Sequence, residues 1–438
     1  MTNLPFGFSS GNPDDSGENK PSGQGPFGGP GGEFDVSQLG QMLSQLGQML
    51  SQQGSQAGPV NYDLARQIAI QQLTPSGLGG PEQADAVADA VRLAETWLES
   101  ATSFPAGATR SAAWSARDWV ENTMSTWQRL CDPVARRVSG AWVEALPDEA
   151  KQVAGPMLAM VSQMGGMAFG SQLGGALAQL GAEVLTSTDI GIPLGPEGVA
   201  ALLPANIEKF TAGLERPAGE VMVYLAAREA AHQRLFAHVP WLRQRLLATV
   251  EEYASGIKVD TSALEQLAGQ VDPTNPESIE QMMSSGVLQP QTTPAQQAAL
   301  DRLETLLALV EGWVDVVVAE AIGDRLPGAD ALRETLRRRR ASGGPAEQTF
   351  ATLVGLELRP RRLRAASNLW ALVGERHGVQ VRDGVWAHPD LIPTAADLDE
   401  PLDFADRLGH GPSELGDDPM AELERAEQAD RENPDKPE

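Results

Sequence analysis

A single cysteine in 438 residues, Cys131, excludes an internal disulfide and agrees with a reducing compartment. Tyrosine and phenylalanine are also scarce, at three and ten residues, while Ala, Leu, Gln and Glu recur in long stretches. That balance makes strands a minority and predicts a mainly α fold with a minor β element. Positive charge is short as well. Lys and Arg number 33 against 59 Asp and Glu, a formal net charge of -26, so most of the surface repels a phosphate backbone and nucleic acid is not favoured as a partner. The start of the chain lacks a basic stretch followed by an apolar core, so no secretory signal is expected and the expected location is cytoplasmic. Neither a Gly-x-Ser-x-Gly elbow nor a phosphate-binding glycine loop is present, and no local histidine activates Cys131.

Organisation is uneven. Residues 1–61 are rich in Gly, Pro, Ser and Gln and lack the apolar density to bury a core, so they are expected to be disordered. Within them "SQLGQML" occurs from Ser37 and again from Ser44, placing Leu39, Leu43, Leu46 and Leu50 on one helical stripe. Gly40 and Gly47 each cost such a helix about 1 kcal/mol, so one reading is a helix that forms on a protein or peptide partner and the other is low-complexity slippage with no function. Residues 62–393 are expected to be a helical domain, with patterns at 62–74, 82–103 and 111–146. The last of these carries Trp114, Trp119, Trp127 and Trp142 as packing anchors. Gly155 to Gly181 has no charge and resembles a membrane span with small residues at helix spacing. Ser162, Gln163, Ser171, Gln172 and Gln179 interrupt it, so a packed central helix pair is expected and a membrane is not favoured.

From Thr186 the segment "TSTDIGIPLGPEGVAALLP" predicts a loop or short strand entering a helix near Pro196. Residues 255–295 hold Pro273, Pro276, Pro290 and Pro294 and predict a mobile insert able to cover a cleft. A helix over Pro360–Arg376 is expected, then a hairpin or extended arm in "VQVRDGVWAHPDLIP". Residues 394–438 are expected to be an acidic, largely disordered tail. Two arginine clusters, "LRRRRASGG" from Leu336 and "LRPRRLRAAS" from Leu358, suit in descending order the chain's own acidic tail, an anionic partner and RNA, with a solvated helix face as the default.

One stretch bears on chemistry. Arg228-Glu229-Ala230-Ala231-His232 reads as a His-Glu-x-x-His zinc-protease motif whose first histidine is arginine. In the intact motif two histidines one turn apart bind zinc and the glutamate is general base to a metal-bound water. A guanidinium keeps its proton at any working pH and offers no lone pair to a metal. Val221, Leu225, Leu235 and Phe236 define an apolar sector of the same helix, and Arg228, Glu229 and His232 fall inside it. Charges there must be paired or bind something, so a purely structural Arg-Glu-His network is one reading. A second helix, Leu303 to Ala321, places Glu311 on the shoulder of its apolar face, either partly exposed or pointing inward as a metal ligand.

Together these segments resemble the actinobacterial zincin-like metallopeptidase family, whose members are described as hydrolases or zinc-dependent metalloproteases. The resemblance is carried by "YLAAREAAHQRLFAHVPWL" from Tyr224, "LVEGWVDVVVAEAIG" from Leu309, "GVWAHPDLIPTAADLDEPLDF" from Gly384 and "MGGMAFGSQLGGALAQLGAEVL" from Met164. It implies a zincin-like helical fold, His-Glu-x-x-His in the first segment and Glu-Gly-His in the second. Glu229 would then be the catalytic base, and His232 and Glu311 the metal ligands, with zinc as the cofactor of a functional site. Arg228 and Trp313 stand where the family has histidines. One histidine and one carboxylate make a poor zinc site, and Arg228 could pair with Glu229 or Glu311 in the metal's place. The expectation is a degenerate, catalytically silent site in a protein that acts by binding another protein. The alternative is an active hydrolase whose ligand set is rebuilt with Asp315 or a C-terminal histidine such as His388.

Overall fold

The computed structural model describes residues 58–73, 81–144, 155–214, 216–256, 293–341 and 362–409. The SQLGQML repeat, the insert at 257–292, His410 and the first four residues of the second arginine cluster lie outside them. Twelve α-helices and two short strands are described: α1 Tyr62–Gln72, α2 Pro81–Leu98, β1 Arg110–Ala113, α3 Ala116–Glu144, α4 Gly155–Gly181, β2 Val199–Leu202, α5 Pro204–Thr211, α6 Ala218–His238, α7 Pro240–Ser255, α8 Pro294–Ile322, α9 Ala329–Ala341, α10 Leu363–Gly384, α11 Ala395–Asp399 and α12 Pro401–Gly409. The fold is mainly α with a small parallel sheet, as the composition predicts.

Local chemistry sets several boundaries. Asn61 caps α1 by accepting from the Leu64 N–H, and Thr293 with Gln296 forms a reciprocal capping box at the start of α8. Pro204, Pro240 and Pro294 occupy first-turn positions, where no intrahelical donor is needed. β1 and β2 pair in parallel from Arg110 opposite Val199 to Ala113 opposite Leu202. On the other side of β2, Ser187 donates to the Ala201 carbonyl and Leu203 to the Leu185 carbonyl, both at 2.9 Å, so β2 is held on both edges.

Helix α6 is central. Every residue from Tyr224 to Phe236 is buried, because α2, α5, α7, α8 and β2 surround it. The expected single apolar sector is therefore too narrow, and the helix has no solvent face over this stretch. Gly312 allows α10 to cross α8 closely, since a Cβ there would lie 2.7 Å from the Ala366 Cβ. Trp119, Trp127, Trp313, Trp370 and Trp386 are the largest fully buried side chains, and Trp114 is also buried. The packing role expected for Trp114, Trp119 and Trp127 is thus met, while the Trp142 side chain lies outside the described residues.

Four expectations are corrected. Gly155–Gly181 is one helix rather than a pair, and among the described residues no helix is long and apolar enough to cross a membrane. The helix expected near Pro196 starts at Pro204, after β2. The expected hairpin after Arg376 is a continuation of α10, bent at Gly378 with φ 83°, which leads into a 3-10 turn at Val385–Ala387. Thr394, expected to open the acidic tail, caps α11, and Phe404 and Ala405 of α12 are buried against the body. Alternating and acidic sequences were overridden there by burial of a few apolar side chains.

Candidate functional site

Two helices and one loop build the site. Arg228 and His232, one turn apart on α6, both reach Glu311 on α8. The Arg228 guanidinium donates from Nη2 to Glu311 Oε2 at 2.6 Å, and His232 Nε2 lies 3.0 Å from Glu311 Oε1. The second ring nitrogen, Nδ1, is 2.8 Å from the Arg228 carbonyl. Both imidazole nitrogens therefore face oxygen acceptors. Glu311 and His232 are 4% and 2% exposed, and Arg228 9%. Glu311 thus points inward, as one of its two sequence readings required.

Glu229 turns to a different set of donors. Its Oε1 accepts from the Ser187 hydroxyl at 2.5 Å and the Gln233 amide at 2.9 Å. Its Oε2 accepts from the Thr188 hydroxyl at 2.6 Å and the Thr188 N–H at 3.2 Å. Glu229 is completely buried and fixes the start of the loop between α4 and β2. That loop then passes over the other carboxylate. Gly191, at φ 77°, would place a Cβ only 2.8 Å from Glu311 Oε1, so glycine is required by both conformation and space.

The surrounding charges hold Arg228 protonated. Burial pulls its pKa down, but Glu311, Tyr224, Asp315 and Asp189 more than offset this and leave it above the ordinary arginine value. Burial in turn pushes the Tyr224 phenol up, against the nearby guanidinium. Asp315, one turn along α8 from Glu311, accepts from Arg333 at 2.5 Å, Arg337 at 2.5 Å and the Ser367 hydroxyl at 3.1 Å. Burial opposes its charge, yet these arginines and Arg228 hold its carboxyl below the usual range.

Trp313 belongs to a second buried network. Its indole N–H donates to Asp383 Oδ1 at 2.9 Å, and its ring packs against Phe104. Asp383 also accepts from Arg382, the Thr102 hydroxyl and both the hydroxyl and N–H of Ser103. Arg382 extends this to Glu320 and the Ala101 carbonyl. His388 is exposed beside Asp390, and His377 meets the Ala405 carbonyl. Among the described residues no group of three or more His, Cys, Asp or Glu is placed to hold a metal ion.

The structure brings Arg228, His232 and Glu311 together and directs Glu229 and Trp313 elsewhere. Sequence reasoning missed Ser187, Thr188 and Gly191. Their signal is indirect: a glutamate on a buried helix needs donors, and the hydroxyl-rich run from Thr186 supplies them across 41 residues.

His232 of one buried helix thus meets Glu311 of a second, with Glu229 beside it held by the loop. The chain belongs to the zincin-like metallopeptidase family, whose model matches residues 60–405. Its fold is similar to the crystal structure of a proposed hydrolase with a novel fold from Chloroflexus aurantiacus, at a TM-score of 0.57 and 19% identity over 80% of this chain and 99% of that one. The comparison with curated protein sequences finds no match.

Proposed function

We propose that this chain is a catalytically silent zincin-like protein in which Arg228 stands in for the metal, and that it acts in the cytoplasm by binding another protein. The observation that carries the reading is the Arg228 Nη2 to Glu311 Oε2 hydrogen bond of 2.6 Å. A zinc site takes at least three protein donors with free lone pairs. Here His232 and Glu311 are two, both already hydrogen-bonded, and the third side chain at the centre is a cation. The residues present do not fit zinc. Glu229, the family's general base, has both oxygens engaged by Ser187, Thr188 and Gln233, so it has no site at which to take a proton from water.

Metal analysis of protein purified without chelators, beside His232→Ala, tests the silent centre. Absence of stoichiometric zinc in both is expected, whereas zinc present in the wild type and lost in the variant overturns the reading. The binding role is tested by proximity labelling in the native host and reconstitution from purified components. A reconstituted complex supports it, and failure of every enriched candidate to bind overturns it.

Retention of Glu229, His232 and Glu311 favours the second reading, an active zinc hydrolase with a rebuilt ligand set. It would need Asp315 released from Arg333 and Arg337, or His388 brought in from the surface.

A further inference from the structure

The two arginine clusters that the sequence sets apart meet in space. Arg333 and Arg337 of α9 share the buried Asp315 carboxylate of α8. Arg338 of α9 and Arg364 of α10 share Glu334, whose Oε1 lies 2.9 Å from Arg338 Nε and 3.5 Å from Arg364 Nη2. Four cations thus lean on two carboxylates. Arg362, just before α10, adds a fifth, and its Nη1 has no hydrogen-bond partner. The Arg338 hydrogen bond foremost, then the charges of Arg338, Arg364 and Arg337, hold the Glu334 carboxyl below its ordinary value against desolvation. Arg338 and Arg364 are open to a partner, with side chains 78% and 71% exposed.

Helix α9 has few other holds. Leu332 and Leu336 are its buried apolar side chains among those described. Arg333 and Arg337 stand one turn apart, a like-charge spacing that destabilises a helix. In a chain of net charge -26 this junction of α9 and α10 is a local surplus of positive charge. An acidic segment laid across it binds by complementarity and relieves the repulsion.

The chain's own end starts close by. Gly409, the last residue of α12, faces His377 of α10, and a Cβ on it would lie 3.0 Å from the ring's Cε1. From there 29 residues follow, with ten acidic and three basic side chains. His377 is about 20 Å along α10 from Arg364, at 1.5 Å per residue. Arg364, Asn368, Ala371 and Glu375 make an exposed stripe between them. Arginines nearer the exit are already matched, Arg376 to Asp406 and Arg407 to Asp397. Extended, the eight or nine residues from Gly409 to Asp417 and Asp418 span on the order of 27–30 Å, enough to reach Arg364 and Arg338. A tethered segment also acts at an effective concentration on the order of millimolar, so modest contacts suffice. We propose that the tail folds back along α10 and that the carboxylates of Asp417 and Asp418 dock on Arg364 and Arg338, bridging α10 to α9. Because α9 carries the arginines that hold Asp315, one turn from Glu311, the docked tail would steady the helix beside the cluster. The inference stands whether or not the cluster binds metal.

The test uses the full chain with a photo-crosslinking amino acid in place of Pro419. Mass spectrometry on a mixture of light and heavy-isotope protein separates crosslinks within one chain from those between two. Crosslinks within one chain to residues 334–341 or 362–368 are expected, with the yield falling about tenfold in R338E/R364E and falling as salt is raised to 1 M. Should that double variant fold poorly, D417K/D418K alters the tail alone and is expected to give the same loss. Combining the two pairs of substitutions is expected to restore the yield, which a general disturbance of the fold would not do. Crosslinks to other parts of the body, crosslinks between two chains, a yield indifferent to these charges, or no recovery in a folded swapped variant would each overturn the proposal.

Discussion

Two buried charge clusters sit on α8 only two residues apart, at Glu311 and Trp313, and they are built on different terms. Around Trp313, Asp383 collects five donors from four other residues, and Trp313, Arg382 and Asp383 are at most 1% exposed. Around Glu311, an arginine and a histidine from one helix meet a carboxylate from another beneath a glycine of a loop, and Arg228 retains 9% exposure. The first cluster is a many-armed knot tying α10 to α8 and to the Ala101–Ser103 turn. The second is a compact bridge between α6 and α8 with an arginine in its middle. Asp383 is thus met mainly by neutral donors, whereas Glu311 is met by an arginine and a histidine.

Substitutions can break or sharpen that contrast. Asp383→Ala should be the most damaging, at about 3–5 kcal/mol, because it removes the shared acceptor of four other donors and of the buried Arg382 Nε, leaving Glu320 as the carboxylate partner of that guanidinium. Denaturant unfolding measures this, and a smaller loss than for Glu311→Ala would reverse the ranking. Glu311→Ala is expected near the lower end of the same range, about 3 kcal/mol, since Arg228 keeps Tyr224 and Asp315 as electrostatic neighbours. Gly191→Ala should cost about 1–2 kcal/mol from its left-handed backbone, plus displacement of the Glu311 carboxylate, read as a lowered Tm.

A pH experiment separates the clusters further. The Asp315 carboxyl lies below its ordinary range, so its pairs with Arg333 and Arg337 stabilise the fold above the unfolded-state value. That contribution disappears as pH falls through the folded value, below about pH 4. Asp315→Asn should therefore lower stability at neutral pH and flatten the acid limb of a stability profile. The smallest change is expected when Arg228→Met is combined with Glu311→Leu and His232→Leu, because His232 Nε2 would otherwise lose its acceptor. Replacing both ions by apolar side chains of similar size is often neutral or stabilising, so a net loss of less than about 1 kcal/mol is expected by thermal melting. A large loss would show that the bridge contributes cohesion beyond satisfying its own burial.

Much of this was legible in the residues. Helices α6 and α8 follow from uninterrupted apolar periodicity, and an Arg-x-x-x-His pair within it demanded a partner that Glu311 supplies. The destination of Glu229 was not legible, because its donors come from a loop 41 residues away whose hydroxyls carry no periodic signal. Trp313 could be flagged as a departure, but its link to Asp383 depends on how α10 continues past Gly378, where alternating residues suggested a hairpin. The strand β2 was hidden because Val-Ala-Ala-Leu is as compatible with a helix as with a strand until β1 is placed beside it.

The position of β2 bears on how anything could be recognised here. A protease that grips a polypeptide by its main chain needs a strand with one row of amide and carbonyl groups left open. With β1 paired along one side of β2 and residues 185–187 bonded to Ala201 and Leu203 on the other, the C-terminal end of this strand is held on both edges. A guest meeting that edge near Ala201 would find side-chain shape and charge there rather than a free main-chain row.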